Sequence, residues 1–225
     1  MNYKLDWYPN HDQRSRDYPV RTAAAKALPR FKQWAPGPVL DQGREGQCVA
    51  FGWVAEAMST PVRVDFNKVK AAPVKEPQRI ASYIYKQAQA IDEWPGEDYD
   101  GTSVNAGAKI MRNLGLVKEY RWAFGVNDMI PALTKGPVVI GIPWYESMYE
   151  APNGKVVIGG RNVGGHCLLV TGYDTRSGTP VYTWRNSWGN EYGTGGSAQI
   201  SHNDLGFLLK QQGEACVVTK RSYGR

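Results

Sequence analysis

Gln42-Gly43-Arg44-Glu45-Gly46-Gln47-Cys48-Val49-Ala50-Phe51 marks a change of character in the chain. Residues 1 to 38 are polar, basic and broken by Pro9, Pro19, Pro29, Pro36 and Pro38, with a short Ala-rich piece around Ala23 to Ala27 that could form a helical turn. From Cys48 the sequence runs Val49-Ala50-Phe51-Gly52-Trp53-Val54-Ala55-Glu56-Ala57-Met58, apolar nearly all round and closed by Pro61. Such a segment is expected as a buried helix. Cys48 then stands in its first turn, where unpaired N–H groups and the helix dipole favour a thiolate. Cysteine is also a common core residue, and by itself Cys48 reads as core filler.

Further helices are expected over Arg79 to Ile91, over Ser103 to Leu114 before the stop at Gly115, and from an N-cap at Asn127 to Gly136. Beyond that point the pattern shortens. Val138 to Ile142, Lys155 to Ile158, His166 to Tyr173, Pro180 to Asn186, Ala198 to Ser201 and Ala215 to Thr219 read as strands between turns, with one helix capped near Asn203 and ending by Gly213. Helices first and strands afterwards indicate an α+β protein of two lobes with a cleft between them. The expected organisation is a basic N-terminal arm over 1–33, a mainly helical lobe over 34–134 and a mainly β lobe over 135–225.

Two further segments change the reading of Cys48. His166, one of three histidines, follows Gly164-Gly165 at the head of an apolar strand, where the glycines leave room for a partner. Trp184-Arg185-Asn186-Ser187-Trp188-Gly189 places an amide and an indole at the end of the next strand. Cysteine, histidine and asparagine brought together in space form a nucleophile, a base and an orienting group.

These segments resemble the papain family of cysteine peptidases. Gln42-Gly43-Arg44-Glu45-Gly46-Gln47-Cys48-Val49-Ala50-Phe51 is similar to the family's Gln-Gly-x-Cys-Gly-Ser-Cys-Trp-Ala-Phe, with the same interval from Gln to Cys. Gly164-Gly165-His166 and Asn186-Ser187-Trp188-Gly189 match its histidine and asparagine motifs in order. Asp100-Gly101-Thr102-Ser103, Gly136-Pro137-Val138 and Gly172-Tyr173-Asp174 also resemble members, so the similarity extends from about residue 34 to 219. The resemblance implies a papain-like two-lobe fold, with the second lobe an antiparallel barrel-like sheet. It implies Cys48 as nucleophile, His166 as base, Asn186 as orienter under Trp188, and Gln42 as oxyanion donor, with Gly101, Thr102, Gly165 and Trp188 along the substrate. The departures are Glu45 in the slot of a disulfide cysteine, Val49 after the nucleophile, Thr102 after Gly101 and Gly165 before the histidine. Glu45 is expected to pair with Arg44 or an arginine of the arm. No inhibitory propeptide is expected, and the strap-like start most resembles propeptide-free members of bacteria and tailed bacteriophages.

Composition bounds the setting. The formal charge is +6, and most of the excess lies in the first 32 residues. That arm is a candidate contact for a virion or host protein, with nucleic acid the lesser reading and a solvated terminus the bland one. Cys48, Cys167 and Cys216 cannot all be bridged, which suits a reducing compartment or a working thiol. The start of the chain has no apolar h-region and no stretch has the length of a membrane span, so a cytoplasmic or virion-associated protein without a signal peptide is expected. No cofactor or metal is called for: HExxH and CxxC are absent, as are a phosphate loop and GxSxG. The rival readings are a papain-fold acyl transferase or isopeptidase and a phage assembly protein on the same scaffold with a vestigial triad. The peptidase reading predicts that Cys48→Ala abolishes peptide cleavage while circular dichroism and thermal unfolding stay close to those of the parent. Persistent cleavage by the folded variant removes Cys48 from the chemistry.

Overall fold

The computed structural model describes residues 3–20, 28–94 and 99–221. The Ala-rich piece at 23–27 lies outside them. In chain order the elements are β1 (Phe31–Gln33), α1 (Cys48–Met58), α2 (Pro77–Gln89), α3 (Val104–Asn113), β2 (Val117–Trp122) and α4 (Val126–Leu133). There follow β3 (Val138–Tyr145), β4 (Asn162–Asp174), β5 (Val181–Arg185), β6 (Ser197–Ser201), α5 (His202–Lys210) and β7 (Glu214–Arg221). The helices fall where the periodicity placed them. α3 is capped by Ser103, whose hydroxyl accepts from the Ala106 N–H, and α5 by Ser201, two residues earlier than expected.

All the strands join one antiparallel sheet in the order β2-β7-β3-β4-β5-β6, with β1 on the far end of β4. The sheet is open, so "barrel-like" describes it only loosely. It also reaches outside the expected β lobe. β2 and β1, both unseen in the sequence, pair with β7 and β4, because Val117-Lys118-Glu119-Tyr120-Arg121-Trp122 carries two bulges that spoil its alternation. The expected strand over Lys155 to Ile158 is irregular apart from a single bridge from Lys155 to Gln199, and follows a one-turn 3-10 helix, Pro152–Gly154.

The two faces of the sheet bury two different cores. Val139, Cys167, Leu169, Cys216 and Val218 face α1, α2 and α3, whereas Val138, Ile140, Ile142, Leu168, Val170 and Val217 pack with α4 and α5. This is the period-2 alternation of strands covered on both sides. α1 is buried along nearly its whole length because it lies between the sheet and α2 and α3. Its close approach to α3 depends on Gly107, where any Cβ would overlap the Trp53 indole; that ring is itself fixed by Nε1–H donation to the Val104 carbonyl at 3.1 Å. Gly107→Ala should therefore cost about 1–3 kcal/mol, the scale of overpacking. Thermal unfolding checks this, and an unchanged midpoint disproves the tight α1–α3 contact.

Candidate active site

β3 and β4 pair with Ile142 opposite His166, and β4 passes α1 so that the Cys167 N–H, one residue beyond His166, donates to the Cys48 sulfur. The expected nucleophile and base thus lie on neighbouring elements, Cys48 at the start of α1 and His166 on β4. Asn186, just past β5, accepts at Oδ1 from His166 Nε2 at 2.7 Å and from the Ser187 N–H at 2.8 Å. The second contact identifies Oδ1 as the oxygen, and an oxygen there requires the proton on Nε2. His166 Nδ1 is left bare and buried, a lone pair available to a thiol proton. The Trp188 ring lies 4.6 Å from the imidazole, and Trp144 lies 4.7 Å from it and 5.2 Å from Trp188, so both indoles pack on the same ring. Trp144 was not legible as a site residue, since a tryptophan inside an apolar strand reads as core.

Gln42 is buried against the segment that carries Asn186. Its N–H donates to the Ser187 carbonyl, its Oε1 accepts from the Ser187 hydroxyl at 2.8 Å, and its Nε2 donates to the Lys4 carbonyl at 3.2 Å. The side chain is therefore oriented by the asparagine segment and holds a peptide carbonyl. Glu45 departs from expectation. It is exposed, it accepts from Gln47 Nε2, and it forms no ion pair with an arginine among the described residues. The carboxylate beside the thiol is that of Asp6.

Asp6 belongs to the arm, which therefore enters the site instead of only covering an outer surface. Tyr3 to Tyr8 pass between Thr102 and Gly165, with single bridges from Asp6 to Gly165 and from Trp7 to Thr102. The Trp7 N–H donates to the Gly165 carbonyl at 2.9 Å, the Tyr8 N–H to the Thr102 carbonyl at 3.1 Å, and the Thr102 N–H to the Asp6 carbonyl at 3.2 Å. Of the expected substrate-side residues, Thr102 and Gly165 thus bind backbone. Gly101 instead gives its N–H to the Tyr85 hydroxyl and leaves room for the Asp6 carbonyl. Trp188 stacks on Tyr3 at 4.7 Å. Lys4 pairs with Asp100 at the exposed rim. Trp7 is buried between Gly141 and Gly165, where a Cβ would overlap it, and its Nε1–H donates to Glu214 at 2.8 Å. The signal for this was present in the alternation Tyr3, Leu5, Trp7 against Lys4 and Asp6, a strand pattern inside a segment read as an arm.

Enclosure sets the charge state. Cys48 and His166 are fully buried. Burial pushes the Cys48 thiol up to about 12; the N–H groups of Cys167, Asp6 and Val49 oppose this, and the Asp6 charge adds to it. Burial also lowers His166 to about 4 against its bond to Asn186. Thiol and imidazole are both neutral beneath the strap, not the ion pair an exposed site would form. Burial raises Glu214 to about 8 despite donated N–H groups from Trp7, Asn10 and Val104.

Residues 78–222 match the family described as papain family cysteine protease. That stretch contains His166 and Asn186 and begins after Cys48 and Gln42. A gut-specific cysteine proteinase of Caenorhabditis elegans is 34% identical over 70 residues, 31% of this chain and 21% of its own length. The chain thus aligns with about a fifth of that relative. Among solved structures, the cysteine protease xylellain of Xylella fastidiosa superposes with a TM-score of 0.71 at 20% identity, covering 98% of each chain. Digestive procathepsin L 3 of Tenebrio molitor does so at 0.63 and 15%, covering 90% of this chain and 73% of its own. Likeness at these identities is likeness of fold.

The two shifted buried groups predict opposed pH effects on stability. Between 6.5 and about 4 the unfolded chain takes up a proton that folded His166 refuses, so stability falls as pH drops through that window. Between 4.5 and about 8 folded Glu214 keeps a proton that the unfolded chain releases, so stability falls as pH rises. Thermal midpoints measured across pH should show both limbs. Glu214→Gln should flatten the upper one alone; an unchanged upper limb rules out the buried carboxyl as its source.

Proposed function

We propose, from the premise that this chain belongs to the papain family of cysteine proteases, that it is a cysteine peptidase held latent by its own residues 3–8. One observation carries the chemistry: His166 is fixed by Asn186 in the tautomer that leaves Nδ1 bare, on the strand whose next N–H reaches the Cys48 sulfur, and Gln42 already donates to a peptide carbonyl. In the reaction the Cys48 proton passes to His166 Nδ1 and the sulfur attacks a substrate carbonyl carbon. The resulting oxyanion is met by Gln42 Nε2 and by the Cys48 N–H, which at the first helical position has no intrahelical acceptor. The C–N bond breaks as Nδ1–H protonates the leaving amine. Water then attacks the thioester, giving its proton to Nδ1, and the acid product leaves as the thiol is restored.

On this reading the strap occupies the groove that a substrate would, with the Lys4 carbonyl held by Gln42 Nε2. Asp6 directs its N–H to Cys48 and its carbonyl to Thr102. The substrates on this reading are peptides or proteins. A virion or host partner that binds the basic arm would act by drawing the strap from the cleft. A cytoplasmic or virion-associated setting suits three unbridged cysteines. Losing a buried tryptophan side chain costs about 3–5 kcal/mol. Trp7→Ala in the full chain should therefore raise both Cys48 alkylation and peptide cleavage on the order of 10²-fold. Faster alkylation without cleavage of any member of a diverse peptide library sinks the peptidase reading; unchanged alkylation sinks the latency.

A further inference from the structure

Past the cleft the arm crosses to the outer edge of β2, where the Trp122 N–H donates to the Tyr18 carbonyl at 3.0 Å and the Val20 N–H to the Trp122 carbonyl at 2.8 Å. It is fastened nearer the cleft as well, by Asn105 Nδ2 donating to Asn10 Oδ1 at 3.3 Å. Between these two points the 3-10 turn Gln13–Asp17 has no buried residue and stands over a cavity of about 460 Å³. The opposite wall is basic. Lys109 and Arg112 stand three residues apart on α3, and Lys118 lies on β2, whose bulges fall where the strand lines the same cavity. Arg14 pairs with Asp12 and Arg121 with Glu119, so the two carboxylates that line the cavity already have counter-ions. Lys109, Arg112 and Lys118 make no ion pair among the described residues. Cations gathered round one cavity repel one another, and an anion between them relieves the repulsion.

We propose that this cavity binds a small polyvalent anion, bearing phosphate or carboxylate groups, which bridges the Gln13–Asp17 turn to Lys109, Arg112 and Lys118 and so holds the strap in the cleft; the holding rests on the latency reading above. The volume is that of a small-molecule site. The Arg112 guanidinium offers a fork that matches either oxyanion, and the two lysines add point charges that a singly charged ion would not satisfy. From the arm, Arg14 binds Asp12 through Nε and Nη2, and its remaining N–H groups and the Ser15 hydroxyl belong to the cavity's outer wall. Because that wall is the arm itself, the complete site exists only while the arm is seated. Binding of the anion and seating of the arm are therefore linked, and each favours the other. Neither Cys48 nor His166 lines the cavity, so the anion acts on them only through the strap.

Titration calorimetry on the full chain tests the site, with pyrophosphate and citrate as separate probes and ionic strength held constant with sodium chloride. At least one of the two should bind saturably at one site per chain, and the tighter of them tells phosphate from carboxylate. The double variant Lys109→Gln/Arg112→Gln and, independently, Lys118→Gln should each weaken that binding about tenfold or more, the scale of a lost hydrogen bond to a charged group. No saturable binding of either probe, or binding that both variants leave within about twofold, overturns the site. Cys48 carbamidomethylation, followed by mass mapping, tests the holding. With the anion at about ten times its Kd, alkylation of the parent should slow about tenfold, the factor by which a ligand confined to the seated arm shifts the equilibrium. Alkylation of Lys109→Gln/Arg112→Gln at the same concentration should change by less than about twofold. Unchanged or faster alkylation of the parent with the anion bound overturns the bridge between arm and body. If Trp7→Ala without anion is alkylated no faster than the parent, the latency reading falls and the holding with it, and calorimetry still decides the site.

Discussion

The close seating of α1 against β4 is the constraint on which the site depends. The thiol and the imidazole come from distant parts of the chain, and only this packing brings the start of one element to the side of the other. The Cys167 N–H donated to the Cys48 sulfur is the direct expression of it. Burial of α1 between the sheet and two helices supplies the rigidity, since a helix apolar all round has no solvent face on which to rock. Asn186 and Gln42 are then aligned through Ser187, whose backbone and hydroxyl bind both side chains. A single residue thus couples the orienter to the oxyanion donor.

The strap uses the same physics that a peptide ligand would use: strand addition at a sheet edge with side chains in alternate pockets. Ordering six residues costs about 6–12 kcal/mol of backbone entropy. Burial of Trp7, at about 1.5–3 kcal/mol, the partial burial of Tyr3 and Leu5, and roughly six hydrogen bonds at about 1 kcal/mol each offset that cost. The exposed Lys4–Asp100 pair adds little. The terms nearly cancel, which describes a segment that holds the cleft and can still be displaced.

Displacement would alter the chemistry as well as the access. Beneath the strap, desolvation keeps both thiol and imidazole neutral, and the Asp6 carboxylate opposes the thiolate. Withdrawal of residues 3–8 removes that negative charge and readmits water, and both changes favour proton transfer from Cys48 to His166. The segment that fills the groove therefore also disfavours the reactive ionisation of the groups under it.

The sequence by itself determined the helices, the main strands and the choice of Cys48, His166, Asn186 and Gln42 as candidates. Those features rest on local periodicity, on capping residues and on motif intervals that survive in one dimension. Tertiary structure alone decided four things: the open sheet spanning both halves, the edge strand Val117–Trp122 whose bulges hide its alternation, Trp144 beside the imidazole, and the place of Glu45 away from the thiol. It also decided the fate of the arm. Tyr3, Leu5 and Trp7 carry a strand pattern too short to fix a partner, and Glu214 is an ordinary acidic residue until Trp7 reaches it from the other end of the chain. Strand addition and pocket filling depend on which surfaces the fold leaves open, and that information is held by residues far apart in sequence.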